Sequence, residues 1–269
     1  MTFDEYKTLP GINASAICAG RKSMLHMHHY MTGGDDKDTP AMRWGRIVHA
    51  AILEPERFLD TVSLWEGKVR RGREWDACKD AAPDTELIVT PDEMEKLRAM
   101  QRNVWAMPEA ADMLKTCETE QVVQWEGKYG KAKGRVDAIR PGLVMDYKTT
   151  ANIEPSAFFR TAFNLAYHAK MGWYAHGIEI ATGRRPTVRL IVQEASAPFD
   201  CWVCEMPDSI VRDGEEEAVE IARAFHVAVH LDHFPGVSEA DKGIVQYELP
   251  GWATPGNEAI PEMEGMSDE

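Results

Sequence analysis

Between Thr39 and Leu53 the apolar residues recur at helical spacing. Met42, Val48 and Ile52 fall with Gly45 and His49 on the positions a helix brings together. Thr39 is a candidate N-cap, and Pro40 stands at the first helical position, where a missing N–H costs nothing. Before this, a first helix is expected to begin near Asn13 or Ser15 and to run through SAICAGRKSMLHMHHYM, with TGGDDKD as a loop. Further helices are expected at residues 74–82, at 91–114 with an interruption near Pro108, and over 155–182 with a break near Asn164. A last helix is expected to start at the acidic Glu215–Glu217, which suits the positive end of the helix dipole, and to stop before Pro235-Gly236. The other patterned segments read as strands. TEQVVQWEGK leads into KAKGRVDAIRPGLVMDYKTT, and RLIVQEASAPFDCWVCEM supplies two more strands joined at Ala197-Pro198. No internal repeat is visible. A chain of 269 residues can bury one large α/β core, or one domain with an appended lobe.

Pro141-Gly142 is a turn signal, because Pro presets the first corner and Gly accepts a positive φ at the second. If these two residues form the loop, Arg140 faces Leu143, Asp137 faces Asp146, and Arg135 faces Lys148. Alternation puts Lys133, Arg135 and Asp137 on one face, with Asp146 and Lys148 on the matching face. Opposed Cβ atoms lie roughly 4.5–5.5 Å apart, so facing carboxylates repel unless something relieves them. A hard divalent cation held by carboxylate oxygens does so. A bulge or a longer loop would slip this register by one residue. The alternative is a solvated strand edge of mixed charge.

Charged residues make up 28% of the chain and hydrophobic ones 44%, ordinary for a globular protein. No apolar run approaches the ~20 residues of a membrane helix, and MTFDEYKTLPG is no signal peptide, so a cytoplasmic protein with no membrane partner is expected. Five cysteines, an odd number, fit a reducing compartment better than a disulfide framework. Cys201 and Cys204 form C-x-x-C, which raises zinc, redox or iron–sulfur chemistry, but a strand points residues three apart to opposite faces. The net charge of −14 argues against nucleic acid until it is mapped. Lys68, Arg70, Arg71 and Arg73 form one basic island, and Lys131, Lys133, Arg135 and Lys148 another. The acidic excess lies at Asp35-Asp36, at Glu215–Glu217 and in the tail. A plain solvated loop is the alternative for the first island. His226, His230 and His233 can share a helix face and hold zinc, or simply favour a helix C-terminus. His26, His28 and His29 read as surface, and His49 by itself is more often a core residue than a ligand. The tail from Pro250, rich in Pro, Gly and Glu, is expected to be disordered.

GRVDAI followed by MDYKTT resembles the PD-(D/E)XK nuclease signature in the form D-x8-D-x-K. The rest of the chain is similar to the exonuclease VIII (RecE-type) branch of phage and prophage recombination. PGINASAI resembles its opening helix, and WGRIVHAAILEPERF its histidine block. KVRRGREWDACKD resembles the basic segment that follows, ELIVTPDEMEKLRAM the next helix, and AYHAKMGWYAHGI the family's Q-x-x-x-Y helix. The resemblance runs from about Pro10 to about Phe234.

It implies a restriction-endonuclease-like α/β fold, a central mixed sheet flanked by helices, in a single domain over residues 1–249. By the same resemblance, Asp137, Asp146, His49 and the Tyr147 carbonyl hold Mg²⁺, for which Mn²⁺ substitutes, and Lys148 orients or deprotonates the attacking water. Arg135, Arg70, Arg71, Arg73, Lys170 and Tyr174 are the implied DNA contacts, Lys170 standing where the family carries Gln. Glu120 lies where several related nucleases hold a further acid; it reads either as reaching a second metal or as a surface strand residue. Some wider relatives staple their ends with a four-cysteine cluster, but no cysteine follows Cys204. The implied activity is 5′→3′ digestion of linear duplex DNA, leaving 3′ single strands for a RecT-type annealing protein, by a ring-shaped homo-oligomer. A PD-(D/E)XK endonuclease or repair nuclease is the second reading. An inactive DNA-binding scaffold is the third, and the intact Asp137, Asp146 and Lys148 argue against it.

Overall fold

The computed structural model of the chain describes residues 3–34 and 39–240. The N-terminal segment forms three short helices, α1 (Phe3–Thr8), α2 (Ala14–Gly20) and α3 (Met24–Met31), where the sequence suggested one. Asn13 Oδ1 accepts from Ala16 N and starts α2, as expected. Ser23 then acts as a second N-cap: its backbone is extended and its hydroxyl accepts from His26 N, so the chain turns a corner before α3. Next comes α4 (Pro40–Leu53), with Thr39 Oγ1 accepting from Met42 N and Pro40 in the first turn. It is followed by α5 (Pro55–Thr61), β1 (Ser63–Leu64) and α6 (Arg73–Ala81). The short strand β2 (Ile88–Val89) pairs parallel with β1, and α7 (Pro91–Ala106) and α8 (Pro108–Thr116) complete this half, broken at Pro108 as predicted.

The main sheet has five strands in spatial order β3 (Glu118–Gly127), β4 (Gly130–Arg140), β5 (Leu143–Thr150), β6 (Thr187–Glu194) and β7 (Cys201–Met206). Only β5 and β6 run parallel. Their crossover carries α9 (Pro155–Asn164) and α10 (Tyr167–Thr182). The closing helix α11 (Asp208–Leu231) starts directly after Pro207 rather than at Glu215. Gly214 lies inside it and marks a helix crossing: a Cβ there would come within 2.1 Å of the His168 carbonyl oxygen on α10. A final turn, α12, spans Val237–Ala240.

Two hydrophobic clusters sandwich the sheet. One packs Ile17, Trp173 and Phe225 of the helices against Trp125, Val144 and Val188. The other packs Val48, Leu97, Met100 and Met113 against Met145, Tyr147 and Ile191. Strand β5 is buried from Leu143 to Tyr147. A strand covered on both faces favours a continuous apolar run, and Asp146 interrupts it.

Cys201 joins the second cluster and Cys204 packs against the first, the opposite-face arrangement expected of a strand. His233 lies beyond the end of α11, after Asp232 turns left-handed at φ 48°, so it does not share a helix face with His226 and His230. Among the described residues no helix is long and apolar enough to cross a membrane. The tail from Pro250 lies outside the described residues.

Candidate active site

The hairpin keeps the register set by Pro141-Gly142: Arg140 pairs with Leu143, Ile139 with Val144 and Ala138 with Met145. Gly142 takes the positive φ the turn demands, 84°. The ladder then stops, so Asp137 does not pair with Asp146, nor Arg135 with Lys148, as regular pairing would have it. The cause is local. Tyr147 N donates to the Asp137 side chain, Oδ2, at 2.8 Å, where a backbone carbonyl would otherwise accept. Val136 packs into one core cluster and Ala138 into the other, although residues two apart share a face in a regular strand. The pleat is broken at Asp137.

Across from it on β3, between the pairs Thr119–Ala138 and Gln121–Val136, stands Glu120 with φ 55°. Left-handed backbone in a non-glycine residue costs about 1–3 kcal/mol and persists where the surroundings impose it. Here the conformation directs the side chain inward. The Glu120 carboxylate is 11% exposed, its Oε1 lies 3.1 Å from His49 Nδ1, and its Oε2 accepts from Arg135 at 2.9 Å. Glu120 is therefore a member of the site, not a surface strand residue. Its signal in the sequence was weak because an acid in an alternating strand looks solvated.

Helix α4 delivers His49 against the mouth of this arrangement. Its Nε2 is 2.7 Å from Asp137 Oδ2, and its ring meets the Tyr147 ring edge-on. Burial disfavours the imidazolium, but the Asp137 charge and the hydrogen bonds to Asp137 and Glu120 outweigh it and raise the His49 pKa to about 9. Asp137 is itself buried, which opposes ionisation. The positive charges of His49 and Lys148 prevail and hold it well below the usual carboxylate range.

Asp146 is 1% exposed. Lys170 Nζ, from α10, donates to its Oδ1 at 2.9 Å, and the Lys148 ammonium lies against its Oδ2. Lys148 Nζ also donates to the Tyr147 carbonyl at 3.3 Å and sits 5.2 Å from the centre of the Tyr167 ring. Burial, reinforced by Lys170, pushes the Lys148 pKa down against the pull of the two aspartates. The opposite holds for Lys170, which Asp146 raises despite its burial. The carboxylate repulsion anticipated from the sequence is thus met by two lysines and a histidine.

Hard carboxylate oxygens, a peptide carbonyl and one imidazole form the donor set of a divalent-cation site. Glu120 accepts from Nδ1, so a His49 that loses its Nε2 proton to an arriving cation would offer the Nε2 lone pair, with the outer carboxylate usual behind a metal-bound histidine. The donor chemistry fits. Among the described residues, however, no three His, Cys, Asp or Glu side chains converge into a ready-made cage, and the Asp146 oxygens face Lys148 and Lys170.

The residues expected to touch DNA divide. A broad cleft opens over the site and is lined by Lys7, Arg21, Lys22, Arg46, Arg135 and Lys170, among others. Arg21 and Arg46 were not anticipated, although Arg46 lies one helical turn before His49. Arg70, Arg71 and Arg73 do not line this cleft. Arg70 is tied to Glu93 and donates to the Ile88 carbonyl, while Arg71 and Arg73 are exposed elsewhere. A local run of basic residues gives no information on which surface it joins. Tyr174 is 6% exposed and packs under Lys170, 5.4 Å from ring centre to Nζ, so it floors the cleft rather than reaching out of it. Lys133, placed in a basic island by sequence, is 4% exposed. Its Nζ donates to the carbonyls of Tyr6, Lys7 and Leu9 at 3.0, 3.2 and 2.7 Å, capping α1 and holding it beside β4.

A sequence profile described as a PDDEXK-like domain of unknown function (DUF3799) matches residues 14–242. No protein of curated function matches the chain in sequence. Among solved structures, a candidate exonuclease from Eubacterium rectale superposes with a TM-score of 0.59 at 11% identity, covering 93% of this chain and 96% of its own. A phage-related exonuclease from Haemophilus somnus 129PT gives a TM-score of 0.36 at 10% identity, over 83% and 96% of the two chains.

Proposed function

We propose, starting from the fact that this chain belongs to the PDDEXK-like family (DUF3799) and hence to the PD-(D/E)XK nuclease superfamily, that it is a metal-dependent exodeoxyribonuclease. One observation carries the reading. Asp137 and Asp146 lie buried on neighbouring strands with Lys148 beside them, and Asp137 and Lys148 line a cleft whose charged side chains are basic in excess, eight lysines and arginines against four acids. A structural role does not require two buried carboxylates at that place.

Asp137, Asp146, His49 and the Tyr147 carbonyl are the residues that would hold the ion, Mg²⁺ by preference with Mn²⁺ as substitute. A divalent cation bound there supplies Lewis-acid polarisation of the phosphate and a water of lowered pKa. The chain's own part is positional and electrostatic. Lys148, with its pKa pushed down by burial, takes up or shares the proton of the attacking water and offsets charge developing on the phosphate. Lys170 and Arg135 neutralise the carboxylates and face the incoming phosphodiester backbone. Cleavage breaks the P–O ester bond, the water oxygen adds to phosphorus, and the leaving oxygen acquires a proton.

The exonuclease VIII resemblance extends this reading to 5′→3′ digestion of linear duplex DNA, leaving 3′ single strands. On that reading the partners are duplex ends, further copies of the chain in a ring, and a RecT-type annealing protein, in the cytoplasm of a bacterium or of its phage-infected host. The test is digestion of linear against covalently closed circular duplex in Mg²⁺ or EDTA, beside Lys148→Ala. Mg²⁺-dependent loss of linear DNA alone is expected, with a rate roughly 10²–10⁴-fold lower in the variant. Cutting of the circle would move the assignment to an endonuclease. No cleavage in Mg²⁺ or Mn²⁺ would remove it.

A further inference from the structure

Gly45 occupies the interior of α4, one turn before His49. Glycine there costs about 1 kcal/mol relative to alanine, so its presence asks for a cause. The other described helical glycines have one in the chain's own packing. A Cβ at Gly20 would lie 2.4 Å from Ile221, at Gly172 2.2 Å from Glu215 N, at Gly177 2.5 Å from Trp125, and at Gly214 2.1 Å from the His168 carbonyl oxygen. Gly45 differs. The nearest atom to a Cβ built there is Thr149 Oγ1 at 4.0 Å, an ordinary contact, and among the described residues no backbone outside its own helix comes as near. Among the described residues, nothing in the chain's own packing calls for a glycine here.

The position is nevertheless not remote. Met42, Arg46 and His49, on the same and adjoining turns, line the cleft, and Thr149 follows Lys148 directly on β5. We propose that Gly45 is a clearance position, its missing side chain leaving room for the phosphodiester backbone of a nucleic-acid strand to pass over α4 on its way to Asp137 and Lys148. The inference rests on the nuclease reading and adds to it a contact surface: bare helix backbone flanked by Arg46 and Thr149, along which a strand lies at van der Waals distance.

Binding of an end-labelled DNA duplex, followed by anisotropy in Mg²⁺ in the slowly cleaving Lys148→Ala background, tests this together with thermal melting. Gly45→Ala is expected to raise Tm by roughly 2–4 °C, since alanine favours the helix and the space is open. It is expected at the same time to weaken duplex binding about tenfold. Gly45→Leu, also a good helix former, is expected to weaken binding further. A fall in Tm with Gly45→Ala would assign the glycine to internal packing. Unchanged affinity in both variants would also overturn the proposal, while leaving the nuclease reading intact. Absence of duplex binding by the Lys148→Ala parent, with no cleavage by the unaltered protein, would remove both.

Discussion

Glu120 shows how one residue can set the chemistry of its neighbours without touching the reacting atoms. Its left-handed backbone turns a strand carboxylate inward, where it holds His49 through Nδ1 and Arg135 through Oε2. Holding Nδ1 leaves Nε2 facing Asp137, so the orientation of the candidate metal ligand depends on a carboxylate one position removed from it. Glu120→Gln keeps the size of the side chain and discards its charge. Titration calorimetry with Mn²⁺ on the otherwise unaltered protein is expected to show affinity reduced roughly 10–100-fold. Equal affinity in the two proteins would mean that His49 is oriented by Asp137 alone.

At the level of elements, the site depends on where α4 lies, and α4 is anchored through Arg43. Arg43 donates to Glu93 at 3.1 Å and also to the Ile88 carbonyl, while Arg70 donates to the same Glu93 carboxylate. Glu93 is at once the third residue of α7 and half of a capping box with Thr90. Burial alone would raise its pKa, but the Thr90 N–H and the two guanidinium groups hold it below the ordinary value of 4.5. A carboxylate depressed in the folded state contributes stability that is present above its unfolded pKa and is lost as pH falls through its folded pKa. Glu93→Gln preserves the cap and removes the charge. It is expected to cost about 1 kcal/mol at pH 7 by urea unfolding, and the gap between the two proteins should close below about pH 4.5. A gap independent of pH would assign the effect to packing. At the same scale, the basic run at 70–73 stands apart from the cleft, and Arg70 is used to join its loop to α7.

The whole molecule carries a net charge of −14 yet concentrates basic side chains around the cleft. Lys7 and Lys22 of its lining are exposed, and Arg46, 3.1 Å from Glu86, lines it one helical turn before His49. Such a distribution would, on the nuclease reading, favour a DNA strand at the cleft over other surfaces. On the nuclease reading, about four phosphates are neutralised there, so log K for duplex binding should fall with log salt at a slope of roughly −3 to −4. The measurement is anisotropy across a potassium chloride series with the Lys148→Ala protein. A slope near zero would mean that phosphates do not bind in this cleft.

Sequence alone carried the covalent order of the chemistry: D-x8-D-x-K, the Pro141-Gly142 turn that brings its two arms together, the Thr39–Pro40 start of the His49 helix, and the alternation that separates Cys201 from Cys204. These are local, because strand period, helix period and cap geometry act over a few residues. Tertiary structure decided the rest. The opening of the ladder at Asp137, the inward turn of Glu120, the burial of Lys133 under α1, and the commitment of Arg70 to Glu93 each depend on a partner far along the chain. Lysine and arginine have similar local signatures whether they meet a phosphate, a carboxylate or a helix end. What lies opposite decides between these roles, and only the folded chain specifies that.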